Sequence, residues 1–357
     1  MAKLVVAGVN NAMPIEIYEL ERREEKEWDA YVLKHPNSTF FHQIGWKRVV
    51  EGTYKHKPIY LIAREEGEVR GVLPLFLMRS LIFGKKLVSI PFAPYGGVCA
   101  DDEIAEKMLI EEAIRVAEEC DADYLELRYL NKNENDLNPA TNSNYVTFIL
   151  NLNLNAEVAW RTFNNKVRNA IRKAIKSGVK IVNDSHIEEF YGLYTRNMRD
   201  LGTPPHSFAF FKNLLHEFPE HTRVVSVKYD GVSVAAMLLL YFKDTIISGW
   251  AASDRRYRNV NPNNLLYWEV IKAGCEAGYK YFDFGRSLRG SGTFKFKKPW
   301  GGKIKQLYYQ YHLFNNRKNM PDTSQLNPKR RKFAGIWRKM PLKLATAIGP
   351  LIRRGIP

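Results

Sequence analysis

The chain has 357 residues, with 54 Lys and Arg against 38 Asp and Glu and a formal net charge of +16. That length fits about two domains of ordinary size, each able to bury a core. The positive excess draws phosphates, nucleic acid or an anionic membrane surface, and the longest apolar run, 232–242, falls short of the roughly 20 residues a membrane-spanning helix needs.

The N-terminus, MAKLVVAGVNNAMP, lacks the apolar length and cleavage site of an export signal. Helical segments are predicted near 24–34 and 42–53. KPIYLIAREEGEVRGVLPLFL from Lys57 then reads as strand, turn, strand, with Glu66-Gly67 as the tight turn. A long helix near 103–120 and the strand YLELRYL at 124–130 follow. After the Asn-rich stretch 131–144 the same order returns: helices near 187–199 and 207–217, a hairpin from Thr222 turning at Asp230-Gly231, a helix near 263–277, and the strand YKYFDFG at 279–285. An ordered set of elements that recurs in this way points to a duplicated α/β domain. The expected boundaries are 1–135 for the first domain, 145–320 for the second and 321–357 for a tail. Cys99, Cys120 and Cys275 are far apart and show no CxxC spacing, so neither a disulfide framework nor a zinc site is expected, and a reducing cytoplasm fits.

Three stretches are rich in cations. FNNKVRNAIRKAIKSGVK at 163–180 carries Lys166, Arg168, Arg172, Lys173, Lys176 and Lys180 without an acid; Val167, Ile171, Ala174 and Ile175 make an apolar stripe and Gly178 a helix stop. In FGRSLRGSGTFKFKKPWGG at 284–302, a strand end delivers Arg286 and Arg289 into a Gly-Ser turn, a place where α/β domains line ligand crevices. The alternation Phe294, Lys295, Phe296, Lys297 predicts a strand with rings inward and lysines outward. The tail, 329–357, interleaves nine Lys and Arg with Phe333, Ile336, Trp337, Leu344, Ile348 and Leu351. It reads as an interfacial membrane anchor, or else as a partner-docking or nucleic-acid arm. Pro341 and Pro350 are expected to divide it into short pieces.

HExxH, a serine nucleophile elbow, a Walker loop and GxGxxG are all absent from the sequence. His206 and Cys275 have no motif partner and read as structural. The chemistry left is positioning by cationic groups, with no metal and no bound cofactor expected.

STFFHQIGWKRVV (38–50), PFAPYGGV (91–98), NKVRNAIRKAIKSGVKI (165–181), NPNNLLYWEVIKAG (261–274) and above all YFDFGRSLRGSGTFKFKKPWGG (281–302) together resemble the FemAB family, the aminoacyltransferases of peptidoglycan interpeptide bridges. Their wording is most similar to FemAB-like proteins found with exopolysaccharide and exosortase systems in Gram-negative bacteria. The resemblance implies an α/β fold of tandem GNAT-like domains, each a mixed, mainly antiparallel sheet flanked by helices, followed by a basic amphipathic tail. It implies transfer of an aminoacyl or acyl group to an amine of a lipid-linked or UDP-linked envelope precursor. The donor is aminoacyl-tRNA or acyl-CoA, with tRNA and an anionic membrane surface as partners and the cytoplasmic side of the inner membrane as location. An acyl-CoA-dependent GNAT in exopolysaccharide assembly and a non-enzymatic membrane or nucleic-acid adaptor are the alternatives. Lys297 matches the motif lysine implicated in phosphate contact or transition-state stabilisation.

Acyl transfer to an amine needs a stabilised oxyanion and a route for the amine proton. Lys297 or Lys298 offers an ammonium to the oxyanion or to a donor phosphate, and Arg286 a bidentate contact to an anionic acceptor. Asp283 reads equally as a base or as a structural acceptor. Ser287, Lys295, Tyr95, Asn264, Arg168 and Arg172 complete the expected substrate-binding set.

Overall fold

The computed structural model describes residues 4–5, 14–80, 83–132, 137–152, 155–183, 185–315, 319–321 and 327–357. The chain divides into two compact units: Met1–Ser143 with Gln306–Pro321 and Arg354–Pro357, and Asn144–Lys305 with Asp322–Arg353.

In chain order the first unit holds β1 (Leu4–Val5), β2 (Glu16–Glu19), α1 (Glu25–Lys34), α2 (Ile44–Tyr54), β3 (Lys57–Glu65), β4 (Glu68–Ser80), β5 (Gly84–Ser89), β6 (Cys99–Ala100), α3 (Glu103–Glu119), β7 (Tyr124–Tyr129) and β8 (Ala140–Asn142). The second begins with β9 (Tyr145–Asn151), α4 (Ala156–Thr162), α5 (Asn165–Lys176), β10 (Lys180–Val182), α6 (Ile187–Leu201), α7 (Phe208–Glu217), β11 (Thr222–Tyr229), β12 (Val232–Phe242) and β13 (Thr245–Ser253). It continues with α8 (Pro262–Glu276), β14 (Tyr281–Asp283), β15 (Ser287–Leu288), α9 (Gly292–Lys297) and β16 (Lys303–Gln306). β17 (Tyr308–Leu313), α10 (Pro328–Lys339) and α11 (Leu342–Arg353) end the chain.

Both expected hairpins form. Glu66 and Gly67 have φ of 51° and 87°, Asp230 and Gly231 of 48° and 75°, the paired left-handed conformations of a two-residue turn that follows the strand twist. The first sheet runs β1-β2-β3-β4-β5-β7-β17-β8, with β6 beside β4. Asp102 caps α3 by accepting from the amides of Ile104 and Ala105. Leu109, Ala113 and Ala117 of that helix share a core with Leu73, Leu75 and Leu125 of the sheet. The second sheet runs β10-β11-β12-β13-β14-β9-β15, with β16 beside β9, and α5 and α8 bury Val167, Ile171, Leu266 and Ile271 with Phe148, Met237 and Phe282.

Each sheet parts at a corresponding place. β5 pairs with β7 in parallel from Lys86↔Tyr124 to Ser89↔Leu127, and β13 with β14 from Thr245↔Tyr281 to Ile247↔Asp283. β13 runs on to Ser253, so beyond Ile247 it leaves the company of β14 at the strands' carboxyl ends.

Three expectations are corrected. Residues 306–320, assigned by sequence to the second domain, lie in the first unit, because β17 pairs antiparallel with β7 on one side and β8 on the other. Residues 292–297 are helical. Ser291 caps this turn by accepting from the amide of Phe294, and a local cap overrides the alternation that suggested a strand. Pro341 does separate the two tail helices, but α11 runs through Pro350. Tertiary contact holds it: Ala345 and Gly349 are buried, and Arg353 Nε donates to His206 Nε2 at 3.2 Å.

Candidate active site

The site is built where β13 and β14 part. β14 ends at Asp283, which is fully buried. Its Oδ1 accepts from the hydroxyl of Thr147 on β9 and, at 2.7 Å, from the amide of Gly285. Gly285 has a φ of 73° and a Cβ there would stand 2.8 Å from the carbonyl of Ser248, so the turn requires glycine. Of the two sequence readings of Asp283, the geometry supports the structural one: the carboxylate fixes the turn and Arg286 follows from it.

α9 returns the chain to that turn. Lys297 is 7% exposed, and its Nζ donates to the carbonyl of Gly285 at 2.8 Å and of Arg286 at 3.3 Å. The expected outward lysine therefore points inward. Burial lowers its pKa to about 8, with nearby Asp283 pulling it up and Arg286 down. Phe294, three residues earlier, meets Phe148 at 5.3 Å between ring centres, and Phe296 meets Tyr267 at 5.3 Å. Both rings are half-buried, so one aromatic side of the turn seats it while the lysine stem runs alongside. Trp300, fully buried, closes the base.

Around this centre the other predicted residues divide. Arg286 is exposed and lies over the Tyr145 ring at 4.9 Å, while Lys295 and Lys298 are exposed on α9 and just beyond it. Ser287 is buried and, among the described residues, its hydroxyl has no hydrogen-bond partner. Arg168 and Arg172 lie on α5, where each donates to an asparagine three residues earlier, Asn165 and Asn169, and Arg172 also covers Trp160 at 5.5 Å. Asn264 sits in the first turn of α8, its amide bonded to the carbonyl of Asn261 at 3.1 Å. Tyr95 belongs to the first unit, where it is buried edge-on against Phe41.

Sequence reasoning missed Thr147, Ser248 and Tyr267. Tyr267 stacks on Phe284 at 5.5 Å and its hydroxyl lies 3.3 Å from that of Ser248, and burial raises its pKa. It also passed over Arg255, Arg256 and Arg258, all exposed in the connection from β13 to α8; three arginines in four residues before a Pro-led helix were a readable signal. A cavity of about 740 Å3 in the same unit is lined by α6, the start of β12, Asp254, Arg256 and α11 and shares none of the residues around Lys297. Among the described residues no cluster of His, Cys, Asp or Glu suits a metal, and no helix is long and apolar enough to cross a membrane.

Residues 161–298, from the end of α4 to the first residue after α9, match the acetyltransferase (GNAT) domain family. The crystal structure of FemX superposes with a TM-score of 0.64 at 15% identity, over 84% of this chain and 97% of that one. A tandem GNAT protein from the clavulanic acid biosynthesis pathway gives 0.55 at 10% identity, over 84% and 98%. The fold is a tandem of GNAT-like domains. L-PGS from Bacillus licheniformis shares this tandem fold with a TM-score of 0.55 at 12% identity, over 95% of this chain and 98% of that one. No curated protein matches the sequence. The matched GNAT segment contains the parted strands and the Lys297 turn, which supports acyl transfer as the class of reaction.

Proposed function

We propose that this chain is an N-acyltransferase of the FemAB type, passing an aminoacyl or acyl group to an amine of a lipid-linked or UDP-linked cell-envelope precursor at the cytoplasmic face of the inner membrane. The observation that carries the reading is Lys297: a buried ammonium in a matched GNAT segment, holding the carbonyls of a strand-end turn that presents Arg286. The similarity in fold to FemX supports it. In this reading the amine attacks the donor carbonyl, an oxyanion forms, and the donor's leaving group departs as the amine loses its proton. Arg286, Lys295 and Lys298 are exposed cations that meet donor or acceptor phosphate, with Arg168 and Arg172 extending the same positive character along α5. Lys297 and Asp283 are positioning residues that keep the turn and Arg286 in place. Ser287, with an unassigned buried hydroxyl, supplies a donor or acceptor to substrate when the turn is engaged.

Acyl-CoA is the donor favoured by the GNAT family match; aminoacyl-tRNA is the donor favoured by the FemAB resemblance. Incubation of the protein with each donor and with UDP-linked or lipid-linked amine acceptors, followed by mass analysis, separates the two. A mass gain on the acceptor that depends on donor and fails in Arg286→Ala is the expected result, and absence of transfer from either donor overturns the proposal.

A further inference from the structure

We infer that the outer face of α10 and α11 is a docking surface for an anionic lipid bilayer, which deepens the membrane location in the proposed function and is tested without reference to acyl transfer. The inner face of these helices is already used. Trp337 is 1% exposed, Ala334 lies against Gly202 at the end of α6, and Gly349 leaves no space for a side chain beside Pro205. The tryptophan that sequence reading assigned to the membrane is thus the bolt that holds the tail on its own unit.

What remains outside is apolar and cationic together. Ile336 is 59% and Leu351 67% exposed, with Phe333 and Leu344 also exposed. Phe333 and Ile336 are three residues apart and Leu344 and Leu351 seven apart, so each pair forms one stripe of its helix. Phe333 stacks on the buried Trp337 at 5.4 Å, which fixes the outer stripe to the inner anchor. On α10, flanking Phe333 and Ile336 in the chain, stand Arg331, Lys332, Arg338 and Lys339, all exposed. Residues 328–353 contain no Asp or Glu, and among the described residues none of these four cations has a carboxylate partner. Lys343 differs, since it lines a cavity with Glu188 and Glu189.

Large apolar side chains set among cations match the bilayer interface, where rings and branched chains enter the headgroup boundary while lysine and arginine reach anionic lipid. A nucleic acid would engage the cations and leave Ile336 and Leu351 in water, so it uses half of the surface. Charge complementarity and the exposed stripes together therefore select an anionic leaflet.

The test is flotation of the full-length protein with vesicles of phosphatidylglycerol and phosphatidylcholine, against vesicles of phosphatidylcholine alone, across salt. Binding to the anionic vesicles only, weakening as salt rises, is expected. Lys332→Gln with Lys339→Gln should lower the partition coefficient roughly fivefold per cation removed, and Ile336→Asp with Leu351→Asp should abolish flotation with no change in thermal midpoint. If the aspartate pair fails to fold, the glutamine pair, which removes no packed contact, decides alone. Failure of the wild type to float, equal flotation with neutral vesicles, or unchanged flotation of both variants each overturns the inference. So does retention on RNA without vesicle binding, which would assign the face to nucleic acid.

Discussion

Lys297 carries a measurable signature of its burial. Its pKa stands at about 8 in the folded protein against 10.5 for an ordinary lysine. Below the lower value both folded and unfolded chains are protonated and the burial cost is constant. Between the two values the unfolded chain keeps a proton that the folded chain has released, so stability rises with pH, by on the order of 3 kcal/mol across the window. Denaturant midpoints on either side of that window should show the rise in the wild type and lose it in Lys297→Met; parallel curves would mean that the ammonium is in water. The same substitution is expected to slow transfer, because the carbonyls of Gly285 and Arg286 lose their common donor. Thr147→Val withdraws a donor from a buried carboxylate and should cost about 1–3 kcal/mol, read from thermal or denaturant unfolding. Asp283 and Arg286 were legible as a strand end entering a Gly-Ser turn. Thr147 was not, since it stands 136 residues from Asp283 and no local pattern links a threonine in one strand to an aspartate that far away.

At the scale of elements, α9 shows how a short alternation misleads. Four residues with rings at every second place fit a strand, but a helical turn with one aromatic side fits them as well, and the turn chemistry decides. Ser291 is that chemistry, its hydroxyl oxygen accepting from the amide of Phe294 three residues on. Ser291→Ala should cost about 1 kcal/mol and reduce transfer more than its stability loss explains, as α9 sets where Lys297 stands; undiminished turnover would separate the cap from the site. The long elements were legible for sound reasons. α3 and α8 have apolar residues at helical spacing, and both hairpins announce themselves by an acid-glycine pair. In α11 the proline at 350 was overvalued, because packing of Ala345 and Gly349 outweighs one missing amide bond.

At the scale of the whole molecule, duplication was visible because order of elements survives where sequence does not: both halves keep a hairpin, a helix and one parallel strand pair. The tail was half legible. Its composition announced an amphipathic segment, but which face turns inward depends on Gly202 and Pro205, which lie far away along the chain. Deletion of 329–357 should lower the thermal midpoint of the protein, since it removes Trp337, the Arg353 contact to His206, and the carbonyls of Arg354 and Gly355 that His56 and Lys86 meet at 2.9 and 2.7 Å. An unchanged midpoint would mean that the tail is held only by the lattice of weak contacts on its surface. The most remote pairing is β17, which enters the first sheet between β7 and β8 and brings Tyr309 beneath the guanidinium of Arg128 at 5.1 Å. On the ribosome this strand emerges after all of Asn144–Lys305, so the half that is translated first cannot finish first. A nascent chain arrested at Lys305 would present the edge of β7, with its backbone amides and carbonyls still in want of a neighbour, and its later half would hold both strands of the parted pair but not yet α10 and α11. Limited proteolysis of such an arrested chain should cut within Met1–Ser143, which the full-length protein protects, so the early half does not follow the N-terminal-first order in which domains usually mature during synthesis.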